Sequence, residues 1–219
     1  MKRFLHFFNY FVVMILVCLH PINTNSQAPS EVKIGTQIWI TKNLDVHTFR
    51  NGDAILEATN KEEWQNAGEN KTAAFCNYDF DSEIGKVYGK LYNWYAVNDP
   101  RGLAPKGWHI PSDAEWTILI EALGGESVAF KNIKSKTGWQ KNGVKSGNGN
   151  NSSGFSALPG GECNRNGYFS AISQNGGWWS SSEGSAGSAW YRVLYNVDTQ
   201  VLRGNSFKKF GLSVRCIKD

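Results

Sequence analysis

The organisation of this 219-residue chain is clearest at Gly107-Trp108-His109-Ile110-Pro111-Ser112-Asp113-Ala114-Glu115-Trp116. Ser112 and Glu115, three residues apart, form a capping box, in which each side chain satisfies a free backbone N–H at a helix start. The apolar residues that follow recur at helical spacing, at Trp116, Leu119, Ile120 and Leu123. Gly124-Gly125 then ends the helix, because Gly reaches the left-handed backbone conformation. The segment therefore predicts one amphipathic helix that starts at Ser112.

Shorter elements are predicted before this helix. Residues 32–34 and 37–40 alternate in character around Gly35-Thr36, which is typical of a two-residue hairpin. Thr59 has an acid three residues later, Glu62, and this is a modest start signal for one or two helical turns.

The chain changes character after the helix. Residues 141–153 are rich in Gly, Asn, Ser and Lys and predict a long surface loop. Short strand-like segments bounded by Gly, Asn or Ser are 154–158, 167–172, 178–181, 189–196, 200–203 and 212–217. We therefore predict an α+β fold of short antiparallel strands with one or two helices and long loops.

The first 26 residues differ from the rest. Lys2 and Arg3 precede an apolar run, residues 4–19, and a polar exit that ends at Ser26. This order predicts a secretory signal peptide, residues 1–26, and hence an extracellular or cell-surface protein with no membrane span after cleavage. A transmembrane anchor is the alternative, although it needs an apolar span nearer 20 residues. Cys18, at the end of the apolar run, is an alternative site for a lipid anchor.

Residues 27–219 are predicted to form a single domain, long enough to bury roughly 70% of its unfolded surface. The formal charge of the whole chain is +4, and it falls by two when Lys2 and Arg3 are removed. A nucleic-acid-binding domain needs a basic stripe, so we expect no nucleic-acid partner. All nine Trp lie after residue 26, where their rings can serve as core pillars or as binding platforms.

Aromatic, Gly and Pro motifs continue along the chain in a fixed order. In addition to residues 107–116 they are Ile34-Gly35-Thr36-Gln37-Ile38-Trp39, Lys42-Asn43-Leu44, Tyr88-Gly89-Lys90-Leu91-Tyr92-Asn93-Trp94-Tyr95-Ala96-Val97, Gly154-Phe155-Ser156-Ala157-Leu158-Pro159-Gly160-Gly161, Gly177-Trp178-Trp179-Ser180-Ser181-Ser182-Glu183, Ala189-Trp190-Tyr191-Arg192 and Gly211-Leu212-Ser213-Val214-Arg215-Cys216. Over residues 31–219 this series resembles the Fibrobacter succinogenes major paralogous domain, a family of secreted bacterial proteins. The resemblance implies a fold related to the C-type-lectin-like fold, in which the chain ends meet in one sheet and long loops decorate the other end.

Three cysteines follow the signal peptide: Cys76, Cys163 and Cys216. In an oxidising compartment one pair can close and one thiol is left over, and spacing alone does not choose the pair. The resemblance favours a disulfide between Cys76 and Cys216, because both match the family pattern whereas Cys163 lies where the family is variable. Such a bridge would contribute about 4 kcal/mol if it were unstrained.

The predicted ligand-binding residues are Trp178, Trp179, Glu183, Trp190 and Arg192. Adjacent side chains of a strand point to opposite faces, so one of the two neighbouring Trp rings is expected to be buried while the other faces outward. An exposed ring can stack on a sugar or on an apolar patch of a partner protein. The alternative is that both rings are covered, one by the core and one by the long loop.

Catalytic and metal-binding patterns are weak. Only His47 and His109 remain after the signal peptide, and His109 is interpreted as a structural, hydrogen-bonded residue. Asp79, Asp81 and Glu83 form the best oxygen cluster, but they lack the other positions of an EF-hand loop and are typical of a solvated acidic turn. The calcium and sugar motifs of C-type lectins are absent from the sequence. We therefore predict no metal site, and no cofactor is implied.

The sequence favours a secreted or cell-surface, non-catalytic binding module that recognises a glycan or a surface protein. One alternative is an enzyme of the formylglycine-generating, sulfatase-modifying type, whose fold is similar. Such an enzyme needs a reactive Cys pair that binds copper, which Cys163 and Cys216 would have to supply, and this analogy depends on fold alone. Another alternative is a structural surface or adhesion protein with no small ligand.

Overall fold

The computed structural model describes residues 30–219; the predicted signal peptide and Cys18 lie outside these residues. The helices are α1 (Lys61–Glu69), α2 (Ser82–Tyr88), α3 (Trp94–Val97), α4 (Asp113–Ala122) and α5 (Glu126–Ile133). The strands are β1 (Glu31–Ile34), β2 (Gln37–Ile40), β3 (Leu56–Glu57), β4 (Ala74–Cys76), β5 (Leu91–Tyr92), β6 (Trp108–His109), β7 (Glu162–Cys163), β8 (Phe169–Ser170), β9 (Asn175–Ser185), β10 (Ser188–Tyr195), β11 (Leu202–Phe207) and β12 (Ile217–Lys218). The predicted α+β class is confirmed, although the described residues hold more helices than the one or two expected.

Helix α4 is confirmed with its capping box. The Ser112 side chain accepts a hydrogen bond from the Glu115 backbone N–H, and Glu115 Oε2 accepts one from the Ser112 backbone N–H at 2.7 Å. Gly124 and Gly125 follow the helix with φ of +96° and +86°, conformations that a side chain would strain. Helix α5 begins directly after Gly125 and was not predicted, because no capping side chain marks its start.

The three earlier helices begin at other polar caps. Helix α1 starts after Asn60, whose side chain accepts from the Glu63 N–H at 3.0 Å, and not at Thr59 as predicted. Thr59 lies one residue earlier, where its hydroxyl donates to Glu63 Oε2 at 2.9 Å. Asp81 caps α2 and Asn93 caps α3 in the same way. Each cap satisfies a backbone donor that the first helical turn leaves free.

The first and last strands of the described chain meet in one sheet of order β1-β2-β12-β6. The predicted hairpin is confirmed, and Gly35 supplies the positive φ of +57° that its turn requires. Trp39 of β2 lies opposite Ile217 of β12, and Ile217 lies opposite His109 of β6. The other sheets are β11-β10-β9, β3-β4-β5 and the pair β7-β8. Within residues 30–219, no helix has the length and apolar character needed to cross a membrane.

Two predicted strands differ from the structure. Residues 154–158 form no strand, and only Ala157 makes an isolated bridge, to Lys134. Of residues 212–217, only the last belongs to a named strand, Ile217–Lys218, while earlier ones make single bridges to other segments. The chain there is extended but packs between other elements instead of along one neighbour.

Three motif segments that are far apart in sequence contact one another in the core. Asn43 Oδ1 accepts hydrogen bonds from Trp178 Nε1 and from Arg215 Nη2, each at 2.9 Å. The Arg215 side chain has no exposure to solvent and also donates to the carbonyls of Ile40 at 3.0 Å and Phe155 at 2.7 Å. Burial lowers the pKa of Arg215 to about 9, so the guanidinium stays charged at neutral pH. These motif residues therefore hold the fold together.

Candidate functional site

The two Trp residues expected to supply a platform are both buried. Trp178 is 1% exposed and packs near Trp116, with 6.5 Å between the ring centroids. Trp179 is fully buried on the opposite face of β9, where its Nε1 donates to the Tyr92 carbonyl at 2.8 Å. The two side chains do point to opposite faces, but both faces of β9 are covered at this position. Neither ring therefore provides an exposed platform, and the alternative that both rings are covered agrees with the structure.

Arg192 is also buried, so it is not available to a ligand on the surface. It donates to Asp113 Oδ1 and, at 3.0 Å, to Thr117 Oγ1 of helix α4. Arg203 contacts the other carboxylate oxygen of Asp113 at 2.9 Å. Burial raises the pKa of Asp113, but the two guanidiniums outweigh it and the pKa lies below its usual value. Arg192 thus fixes α4 to the sheet.

Trp190 differs from the other eight Trp of the chain, which are all buried, because its side chain is only half-buried. The guanidinium carbon of Arg203 lies 3.4 Å from the Trp190 ring centroid. Arg203 also forms an ion pair with Asp113, so its guanidinium contacts both the Asp113 carboxylate and the Trp190 ring. The Trp190 ring is consequently fixed in position at the protein surface.

Trp190 lies beside three side chains of the edge strand β11. Trp190 is opposite Asn205 in the β10–β11 register, and the alternation of side chains places Arg203 and Phe207 on the same face. Phe207 is 54% exposed, and Arg203 and Asn205 are exposed as well. We name Trp190, Arg203, Asn205 and Phe207 the β11 face. It combines two aromatic rings with a guanidinium and an amide.

Glu183, the remaining predicted residue, is an exposed side chain near the end of β9. It forms an ion pair with Lys208, a buried residue that also donates to the Ala186 carbonyl at 3.1 Å. The neighbouring Gly184 leaves room for Asn205, because a Cβ atom there would lie 2.1 Å from the Asn205 amide nitrogen. Of the five predicted residues, Trp190 and Glu183 are the ones that reach the surface.

Three members of the β11 face were missed by the sequence prediction: Arg203, Asn205 and Phe207. The strand Leu202–Phe207 alternates polar or aromatic side chains with less exposed positions, and this period of two was the available signal. The sequence did not show that β11 pairs with β10 alone and lies at the edge of its sheet.

A second concave region lies at helix α2. Two adjoining cavities of about 420 and 280 Å³ share Asp45, Gly85 and Lys86. The smaller cavity is also lined by His47, Glu57 and Lys90, and the Glu and Lys side chains give its wall charges of both signs. This groove contains none of the five predicted ligand-binding residues.

The structure does not support the predicted disulfide between Cys76 and Cys216. Cys76, Cys163 and Cys216 are all free thiols in the structure, and all three are buried. Cys76 packs in the cluster around Trp64, whereas Cys216 packs in a different cluster that includes Trp179. Burial raises the pKa of Cys216 to about 12, which keeps this thiol protonated.

The acidic segment has separate structural contacts. Asp81 Oδ1 accepts from the Glu83 N–H at 2.8 Å as the cap of α2, and Glu83 forms an exposed ion pair with Lys86. Asp79 takes a left-handed conformation with φ of +54°. Among residues 30–219, no group of three His, Cys, Asp or Glu side chains is placed to hold a metal ion.

His109 bridges two carboxylates. Its Nε2 lies 2.8 Å from Glu115 Oε1 and its Nδ1 lies 2.9 Å from Asp219 Oδ1. Burial lowers the pKa of His109, but the hydrogen bonds and charges of these two acids outweigh it and raise the pKa above 6.5. Because both ring nitrogens are occupied, neither is free to act on a substrate. This agrees with the structural role predicted for His109.

Comparison with known proteins identifies the family and nothing more specific. Searches of curated proteins and of solved structures gave no match. The sequence pattern of the Fibrobacter succinogenes major domain matches residues 32–218, nearly the whole of the described chain. The chain therefore belongs to the Fibrobacter succinogenes major domain family.

Proposed function

We propose that the chain is an exported, non-catalytic module that binds a glycan on the β11 face. The observation that carries the proposal is the half-buried Trp190 ring, which Arg203 holds in place from 3.4 Å. A fixed aromatic ring binds the apolar face of a sugar at a low cost in conformational entropy. The Arg203 guanidinium and the Asn205 amide supply donors for hydroxyl or carboxylate oxygens of the same ligand.

These groups lie on regular strands, so the binding site is preorganised and favours a ligand whose shape matches it. Trp190 and Asn205 face each other in the β10–β11 register, so their spacing is set by backbone hydrogen bonds. Sites built on strands hold their geometry better than sites built on loops. No side chain of the β11 face is committed to the hydrophobic core.

The expected export of the chain agrees with this function, because extracellular glycans are then available as ligands. The C-type-lectin-like fold remains part of the proposal. It is supported by the four-stranded sheet in which β1 and β12, the first and last strands described, come together through β2. The proposed binding needs no calcium, since the β11 face contributes an Arg, an Asn and two aromatic rings.

The enzyme alternative has no located site. The copper-binding pair that it requires was assigned to Cys163 and Cys216, but these residues pack in different clusters and are both buried. The polar groove at α2 is concave, but the arrangement of its lining residues does not identify any one of them as a catalytic nucleophile. We therefore keep the glycan-binding proposal.

A glycan array tests the proposal, with the purified chain applied once in calcium and once with a chelator. The variants are Trp190→Ala and Asn205→Ala, and Tyr168→Ala serves as a matched control because this ring is 56% exposed but lies outside the β9–β11 sheet. Circular dichroism of each variant verifies that it is folded.

We expect binding that survives chelation, that Tyr168→Ala retains, and that Trp190→Ala and Asn205→Ala weaken by tenfold or more, equivalent to about 1.4 kcal/mol. Binding that Trp190→Ala retains would contradict the assigned surface. An array with no bound glycan would contradict the proposed ligand class and would favour a protein partner or a structural surface role instead.

A further inference from the structure

Two of the three cysteines that the structure describes share one cluster of the hydrophobic core. Cys76 is on β4 and Cys163 is on β7, and both pack in the cluster that also contains Trp64 and Tyr78. Burial raises the pKa of the Cys76 thiol, and Cys163 is near enough to raise it further. Cys216 lies in the first core cluster instead. The fold therefore brings together one cysteine pair, and it is not the pair that the family pattern suggested.

The backbones of the two neighbouring cysteines are held independently. Cys76 lies opposite Leu91 in the β4–β5 register. Cys163 exchanges two backbone hydrogen bonds with Gly211, of 3.0 and 2.7 Å. Gly211 is a close neighbour as well, since a Cβ atom there would lie 3.2 Å from Cys163 Cβ. Neighbouring segments of the chain therefore fix the backbone of each cysteine.

The other contacts of these thiols are weak. Cys163 Sγ donates to the Asn164 carbonyl across 3.6 Å, and a thiol is a weak donor. Neither cysteine is exposed to solvent. A disulfide between them would therefore displace few existing contacts of the two thiols, and burial would shield it from reductants once the protein is folded.

We propose that Cys76 and Cys163 are the disulfide pair of this protein, and that Cys216 stays a thiol. In the reaction the two thiols lose two protons and two electrons and form one S–S bond. The electron acceptor is a small or protein disulfide, such as oxidised glutathione, which is cleaved to two thiols through a mixed disulfide. The proposal depends on the expected export of the chain and is independent of its ligand.

The burial of the pair determines when this reaction takes place. Burial raises the pKa of Cys76 well above its usual value, and the neighbouring Cys163 raises it further. Because the thiolate is the attacking species, the folded and reduced chain reacts slowly. Oxidation is therefore expected while the chain folds, before β4 and β7 are enclosed.

The experiment starts from the full chain, reduced and unfolded in denaturant. It is refolded by dilution into a buffer of oxidised and reduced glutathione, and the remaining thiols are blocked by alkylation after unfolding. Mass spectrometry of a non-reduced digest then assigns all four cysteines, including Cys18. We expect Cys76 joined to Cys163 and Cys216 alkylated. A link from either residue to Cys18 or Cys216, or two alkylated thiols at 76 and 163, would overturn the proposal.

A second readout is the thermal unfolding of chain that has been refolded from denaturant either in the glutathione buffer or in dithiothreitol. The bridge closes the chain between residues 76 and 163, so its reduction is expected to lower the Tm by about 10 °C. The matched control Cys216→Ala should keep this dithiothreitol-dependent shift, whereas Cys163→Ala should lose it. A shift that disappears in Cys216→Ala, or that persists in Cys163→Ala, would also overturn the proposal.

Discussion

Replacement of Asn43 by Ala tests whether the family motifs hold the core. Asn43 Oδ1 accepts from Trp178 Nε1 and from Arg215 Nη2, each at 2.9 Å, and Asn43 Nδ2 donates to the Tyr88 carbonyl at 2.8 Å. The Asn43→Ala variant removes these three hydrogen bonds at once. The groups left behind are an indole N–H and a guanidinium N–H in the protein interior, and a partly buried carbonyl.

The magnitude follows from those three groups. An unsatisfied buried donor or acceptor costs about 1–3 kcal/mol, with the larger values for charged groups. Asn43→Ala is therefore expected to lower the free energy of unfolding by about 3–6 kcal/mol. For a domain of this size the Tm would fall by about 10–20 °C. This is a large part of the stability of a typical domain, about 5–15 kcal/mol.

Urea and thermal unfolding, followed by circular dichroism, measure this change. The matched control is Asn166→Ala, because Asn166 is exposed in the turn between β7 and β8. The control is expected to change the free energy of unfolding by less than about 0.5 kcal/mol. If Asn43→Ala costs less than about 1 kcal/mol, or matches the control, the motif residues do not hold the core as argued.

Three further perturbations test separate contacts. The pKa of His109 in the folded chain is raised above its usual value of 6.5, so its stabilising ion pairs are fully present below the usual value and are lost as the pH rises through the raised pKa. The Tm difference between wild type and His109→Gln should be larger at about pH 5.5 than at about pH 8.5, and a constant difference would refute this. Asp113→Ala leaves the buried Arg192 guanidinium without its carboxylate and should cost about 3 kcal/mol in urea unfolding, whereas an unchanged midpoint would contradict the assigned role. Gly149→Ala should lower the Tm by several degrees, because the added Cβ would lie 2.5 Å from the Lys131 carbonyl oxygen. Gly187→Ala is the control and should leave the Tm unchanged, because nothing lies within 4 Å of its added Cβ. Equal effects of the two changes would contradict the close packing around Gly149.

Local signals predicted local structure. The capping box at Ser112 predicted α4, and the Gly35 turn predicted the β1–β2 hairpin, because each depends on residues close in sequence. Helix α5 was missed since Gly125 provides no capping side chain. Thr59 was chosen over Asn60 as the cap of α1, although both are good acceptors and adjacent. Such choices depend on backbone conformation that composition does not fix.

Predictions that required distant contacts were less successful. The period of two assigned Trp178 and Trp179 to opposite faces of β9, but it carries no information about what covers each face. Trp190 reached the surface because β10 is covered less completely at its position. In the same way, only the packing of distant segments shows that Cys76 shares its core cluster with Cys163 and not with Cys216. The motif residues were clear in the sequence, but most of them form the core and only a few contribute to the β11 face.

Glycan binding at Trp190 is tested most directly through the indole N–H signals of the nine Trp. The chain is labelled with nitrogen-15, the Trp190 signal is assigned with Trp190→Phe, and spectra are recorded as pooled oligosaccharides are added. The proposal predicts that the Trp190 signal shifts progressively, while the signals of the eight buried rings stay in place. A Trp190 signal that does not move, whether or not other signals do, would contradict it.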